Sequence, residues 1–192
     1  MVLEIVQYGH PALRQPGARV EQVDGSIRQF AANLLETMHD AEGVGLAAQQ
    51  VGRALQVFVI DVRGVKDRPS TLERDGQAVD PHAAMPMVLI NPEVTPVGPP
   101  ATGPEGCLSF PELYGDITRP ESADVKALNE KGETVSFRCS GLLARAIQHE
   151  LDHLKGILFI DRMTAARRRE IQPELDALMA ETKAALQPKK KK

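Results

Sequence analysis

Five residues late in the chain, His149-Glu150-Leu151-Asp152-His153, constrain the fold more than any other stretch. Histidines at i and i+4 converge on a helix, where they lie one turn apart and about 6 Å from each other on one face. Both imidazoles can then chelate one ion, and the glutamate beside the first ligand can act on a water. The flanking residues predict a helix from Leu142 to Lys155, with Ser140 as its cap and Gly156 as its terminator. Leu142 and Ala146 share the stripe that carries His149 and His153, so the histidines continue an apolar, buried face.

A catalytic ion usually has three protein ligands and one open position. In the metzincin extension of the motif a third histidine would fall on Phe159, so that class is excluded although Gly156 matches its glycine. Cys107 in Glu105-Gly106-Cys107-Leu108-Ser109 is the better candidate, because the small Gly106 lets backbone and ion approach closely. Glu170 and Glu174 are downstream carboxylates that would make the chain a zinc endopeptidase instead. A noncatalytic structural metal module is the third reading, and the weakest, since a closed zinc site normally takes four protein ligands. Cys139 faces inward from an alternating strand and reads as a small buried hydrophobe. His10, His39 and His82 need only packing, capping or exposure.

With 192 residues, 42% of them hydrophobic and 26% charged, the chain fits one globular domain with its own core. A net charge of -3 gives the domain no overall attraction for nucleic acid or membrane. No apolar run is long enough to span a bilayer, and Met1-Val2-Leu3-Glu4 lacks the features of a signal peptide. A reducing cytoplasm is the expected compartment, with an organelle as the alternative; two cysteines are too few for a disulfide scaffold.

Apolar residues at Ile27, Phe30, Ala31, Leu34, Leu35 and Met38 predict a first amphipathic helix, capped by Asp24 or Ser26. Gly43 lies just past its end, where a left-handed residue is often needed. Strands are expected at Leu55 to Val62, Met87 to Asn91 and Ile157 to Ile160, and a hairpin from Ala123 to Leu128 and Thr134 to Cys139. The polar segment 63–86 reads as a surface insertion. Thr164 to Leu186 is helix-forming, with Pro173 kinking it or opening its second half. Residues 187–192, with Lys189 to Lys192 after Pro188, read as a lysine-rich disordered tail following a domain of residues 1–186.

Three motifs together, Gly43-Val44-Gly45-Leu46-Ala47-Ala48-Gln49-Gln50, Glu105-Gly106-Cys107-Leu108-Ser109 and Gln148-His149-Glu150-Leu151-Asp152-His153, resemble the peptide deformylases. The resemblance runs from His10-Pro11-Ala12-Leu13-Arg14 to Phe159-Ile160-Asp161-Arg162, with Gln49 standing where a small residue or proline is expected. It implies an α+β fold of antiparallel sheets packed around the helix of the metal motif, with a C-terminal helix. It implies a metal-dependent hydrolase that removes the formyl group from N-formylmethionyl nascent polypeptides and releases formate. The metal it favours is Fe(II) in the cell, with Zn, Ni or Co in purified protein.

The residues suit that chemistry. A divalent ion lowers the pKa of a bound water from about 15.7 toward about 7. Glu150 can take its proton and pass it to the leaving amide nitrogen. By resemblance, the Gln50 side-chain amide and the Leu108 backbone N–H are the donors for the developing oxyanion. A glutamine ending the apolar Leu46-Ala47-Ala48 run is expected to be buried and hydrogen-bonded in any case. Gly43, Val44 and Gly45 are expected to dock an extended peptide backbone, and Leu142 and Ala146 to line a methionine pocket or belong to the core. Glu105 and Arg119 are candidates for an ion pair that holds the Cys107 loop. The lysine tail makes the ribosome a candidate partner through weak, salt-dependent contact with RNA phosphates, with no sequence-specific nucleic-acid site.

Overall fold

The computed structural model describes residues 1–187. Its centre is a single seven-stranded sheet, all of whose ladders are antiparallel, in the order β1-β2-β5-β6-β7-β3-β4. The strands are β1 (Gly45–Ala47), β2 (Val57–Ile60), β3 (Ser70–Arg74), β4 (Gln77–Val79), β5 (Met87–Cys107), β6 (Phe110–Leu128) and β7 (Thr134–Ser140). Four helices accompany them: α1 (Gly25–Asp40), α2 (Gly141–Leu154), α3 (Ala165–Glu170) and α4 (Gln172–Leu186). The α+β architecture expected from the sequence is therefore present, with one continuous sheet in place of several.

β2 explains how that sheet takes helices on both sides. Phe58 and Ile60 join one apolar cluster with Leu143, Ala144, Ile147 and Leu154 of α2. Val57 and Val59 join a second with Phe30, Ala31, Leu34 and Met38 of α1. Successive side chains of a strand point to opposite faces, so a strand buried on both must be apolar throughout, as Val57-Phe58-Val59-Ile60 is. Cys139 is fully buried in the first cluster, and burial pushes its thiol up to about 12. It is the small hydrophobe the sequence suggested. A third cluster packs Phe110, Phe159 and Ile160 against Ile171 and Leu175 at the start of α4.

Two strands are much longer than the sequence pattern indicates. β5 extends past Asn91 through a proline-rich stretch to Cys107, and β6 begins at Phe110 rather than Ala123. Register shifts between Ile90 and Glu93 and between Val97 and Pro100 bend the pair where Pro92, Gly98 and Pro99 interrupt the ladder. The pair closes with Cys107 opposite Phe110, leaving Leu108 and Ser109 as the turn.

Several local expectations change. Ile157 to Ile160 forms no strand; a 3-10 turn over Phe159–Asp161 buries its apolar residues instead. The left-handed residue after α1 is Glu42, at φ 54°, not Gly43. Asp24 caps α1 by accepting from the backbone N–H groups of Ser26 and Ile27. Ser140 occupies the N-cap position of α2 without a side-chain cap bond, its hydroxyl being engaged with Thr71. Ser70 Oγ accepts the Leu143 N–H at 3.0 Å and Pro69 O accepts the Leu142 N–H at 3.2 Å, so the cap comes from the segment 63–86. That segment also supplies the β3-β4 hairpin, which extends the main sheet beyond β7. Pro173 opens α4 in its first turn. The expected lysine tail, Lys189 to Lys192, lies outside the described residues.

Candidate metal centre

α2 is buried along nearly its whole length and holds the rings of His149 and His153 5.1 Å apart. The end of β5 delivers Cys107 to them, with its Sγ 3.3 Å from His153 Nε2. One potential ligand atom from each of Cys107, His149 and His153 lies within 4.8 Å of the others. This donor set fits a divalent transition ion: one thiol and two imidazoles, converging at the wall of a cavity. Burial and the nearby His149 hold His153 well below the ordinary histidine range, which keeps it neutral as a ligand must be. Burial alone would do the same to His149, but Cys107 and Glu105 outweigh it and raise His149 well above that range. Glu170, one of the two alternative ligands, pairs with Arg167 on α3, and neither it nor Glu174 belongs to the cluster.

Behind the ligands lies a charge network that the sequence only hinted at. Glu105 and Cys107 are two residues apart on β5, so both side chains point to the same face. Glu105 Oε2 sits 3.0 Å from His149 Nδ1, which directs the other ring nitrogen toward the cluster. The same carboxylate accepts two bonds from Arg119, at 2.6 and 2.9 Å, and one from Arg145 at 2.8 Å. Burial pushes this carboxyl up, but Arg119 and His149 outweigh it and hold it well below the usual carboxylate range. Arg119 also reaches Asp152 at 2.8 Å, and Arg162 grips Asp152 with bonds of 2.5 and 2.6 Å. The Glu105–Arg119 pair is buried, both side chains being about 5% accessible or less.

Glu150 stands apart from this network. It is buried, its Oε2 has no partner among the described residues, and burial raises its pKa to about 7. Gly45 makes room for it: a Cβ there would lie 2.9 Å from Glu150 Cδ. Gln50, also buried, has its Oε1 fixed by the Ala47 N–H at 2.8 Å, and its Nε2 is thereby aimed at Cys107 Sγ, 3.4 Å away. A cavity of about 430 Å³ opens beside these groups, lined among others by Gly43, Val44, Gly45, Gln50, Leu108 and Leu142. Ala146, His149, Glu150 and Cys107 also line it, so the structure gathers every site residue expected from the sequence except His153 onto one cavity wall, with His153 just behind. β1 is an edge strand of the sheet, bonded to β2 on one side only.

Residues 2–169 match the family model described as polypeptide deformylase. The chain belongs to the polypeptide deformylase family. Its relatives in that family include the peptide deformylase of Opitutus terrae, 43% identical over 96% of this chain and 97% of the relative. The Chlorobium limicola peptide deformylase is 41% identical over 93% of this chain and 89% of its own. Among solved structures, a Legionella pneumophila peptide deformylase superposes with a TM-score of 0.78 at 32% identity, covering 98% of this chain and all of that one. A Synechococcus elongatus peptide deformylase, solved in complex with actinonin, superposes at 0.73 with 36% identity, covering 97% and 90%. The family is metal-dependent, and the Cys107, His149 and His153 cluster is where an ion fits this deformylase chain.

Sequence reasoning missed several residues of the deformylase cavity. Glu42 and Glu112, on the cavity wall, both adopt positive φ, and Tyr114 stacks its ring over Gly106. Arg145 could have been found, since a lone charged residue inside the otherwise apolar run Leu142 to Ile147 of a helix must find partners. Arg68 could not, because nothing in its neighbourhood links it to the other motifs.

Proposed function

We infer that the chain removes the formyl group from the N-formylmethionyl end of nascent polypeptides, releasing formate, with Glu150 as the proton carrier. The observation that carries the assignment is the unpartnered, buried Glu150 carboxylate on the same cavity wall as the thiol–imidazole cluster and Gln50. Cys107, His149 and His153 would hold the ion, which when bound supplies a Lewis acid and brings the pKa of a water toward about 7.

The remaining work falls to the chain itself. Glu150, raised to about 7, can accept a proton from the attacking water and return it to the departing amide nitrogen near neutral pH. The Gln50 amide is locked through its oxygen, so its N–H donors need no reorganisation to meet the developing negative charge on the formyl oxygen. The Leu108 N–H, in the two-residue turn after Cys107, is the second donor in this reading. Glu105 orients His149 and, through Arg119 and Asp152, ties the ligand loop to α2.

Substrate docking follows from the edge of the sheet. The free side of β1 and the preceding Gly43–Val44 can take an extended peptide as an added strand, which uses main-chain groups and tolerates many sequences. Val44, Leu142 and Ala146 then supply the apolar wall for the methionine side chain. Residues 1–186 act as one catalytic domain in this reading, with Fe(II) as the cellular metal. Lys189 to Lys192 offer a salt-dependent contact to ribosomal RNA. No helix among the described residues is long and apolar enough to cross a membrane.

The test is formate release from formyl-Met-Ala-Ser by anaerobically purified protein, alongside Glu150→Gln. The variant should retain its metal and lose turnover. Normal turnover by Glu150→Gln removes the assigned role.

A further inference from the structure

Arg68 belongs to the segment 63–86, far in sequence from every motif of the site, yet it lines the central cavity. Both ends of its loop are anchored. At one, Arg63 grips Asp61 through Nε at 2.9 Å and Nη2 at 2.6 Å, just beyond β2. At the other, Pro69 and Ser70 cap the first turn of α2 through the Leu142 and Leu143 N–H groups. Arg68, adjacent to Pro69, is thus fixed beside the helix that carries His149, Glu150 and His153.

The cavity wall holds two guanidinium groups in opposite situations. Arg145 is committed: it donates to Glu105 and to the carbonyls of Ala101 and Ile117 at 2.7 to 2.8 Å. Arg68 is half-buried and, among the described residues, has no ion pair or side-chain hydrogen bond. The carboxylates of Glu42 and Glu112 line the same cavity without pairing to it. A partly desolvated guanidinium with all its donors free, on the wall of a peptide-binding cavity, is suited to a carboxylate that arrives with the substrate.

We propose that Arg68 is a specificity-determining residue that favours an acidic side chain at the third position of the formylated peptide. This rests on the deformylase reading above. In an extended peptide the first and third side chains share a face, about 6.6 to 6.8 Å apart, while the second points away. With the methionine side chain against Leu142 and Ala146, the third side chain is on the peptide face turned to the same cavity, which Arg68 also lines.

The test uses the full chain loaded with metal and C-terminally amidated peptides, so that no terminal carboxylate competes. The pairs are formyl-Met-Ala-Glu with formyl-Met-Ala-Lys, and formyl-Met-Glu-Ala with formyl-Met-Lys-Ala. The Glu-to-Lys ratio of kcat/KM at position three should fall about three- to tenfold in Arg68→Gln, mostly through KM, with Arg68→Lys between. In the wild type the same ratio should shrink in 0.5 M salt, a concentration that screens a half-exposed pair. A position-three ratio within about twofold of wild type in Arg68→Gln, or an effect confined to position two, overturns the proposal. Formate release with no such change leaves the deformylase reading standing and removes only the role of Arg68. No formate from any peptide removes both.

Discussion

Replacing Arg119 with Met should cost stability and metal affinity together, because this one side chain neutralises two buried carboxylates. Arg119, Glu105 and Asp152 are each about 5% accessible or less, so solvent cannot replace the lost partner. Breaking a buried pair by removing one member costs about 3 to 5 kcal/mol, mainly through the charge left stranded. Here Glu105 keeps Arg145 and His149, and Asp152 keeps Arg162, which places the expected loss near the lower end, about 3 kcal/mol. For a chain of this size that corresponds to a fall in Tm of about 6 to 12 °C. Glu105 also orients His149, and loosening a partner of that kind typically lowers metal affinity about 10- to 100-fold. Arg119→Lys keeps the charge but loses the paired contact to Glu105, and should fall between. Urea melts of chelator-treated protein would give the stability term, and competition titration with a metal indicator the affinity. A stability loss below about 1 kcal/mol in Arg119→Met would refute the reasoning, since it would mean the stranded carboxylates are solvated or neutralised at little cost.

Gly45→Ala should keep the metal and lose most turnover, because the new Cβ would press on the Glu150 carboxyl; full activity would show that Glu150 can move aside. Asp61 is held down to about 2, chiefly by the Arg63 hydrogen bond. A carboxylate lower in the folded than in the unfolded state, where it titrates near about 3.9, adds stability above that pH that is lost as pH falls toward about 2. Asp61→Asn should therefore flatten the acid limb of the stability curve between about pH 4 and 2, and an unchanged limb would contradict the assignment. Air or peroxide should inactivate Fe(II)-loaded protein faster than nickel-loaded protein, through the iron or the Cys107 thiolate; equal rates would argue against the iron reading.

What was legible in the sequence was what depends on short spacing. The two histidines, Glu150 and the run from Gly43 to Gln50 are each local patterns, and a local pattern fixes which face of an element a side chain occupies. α1 was readable for the same reason, its stripe from Ile27 to Met38 being one face of one helix. Ile157 to Ile160 shows the limit. Four apolar residues in a row are compatible with a buried strand or a buried turn, and packing against Phe110 and Ile171 decides for the turn. β5 was cut short at Asn91 because its prolines remove ladder donors and break the alternation. The strand continues because the ladder to β6 resumes beyond each bulge.

The support of the metal centre was hidden for a different reason. Opposite charges at Glu105 and Arg119 suggest a pair, but whether that pair stiffens a ligand depends on burial, and burial comes from the long β5-β6 hairpin. That hairpin sets Ala101 opposite Arg119 and brings Glu105 beneath His149. The cap of α2 follows the same logic. Ser140 has the right residue type in the right place, but its hydroxyl turns to Thr71 across the β3-β7 pairing, and Ser70 takes over the helix N–H. Segment 63–86 thereby couples to the metal-binding helix through its backbone and one hydroxyl, neither of which leaves a mark in residue spacing. A substitution in that segment can alter the cavity without touching any residue of the three motifs.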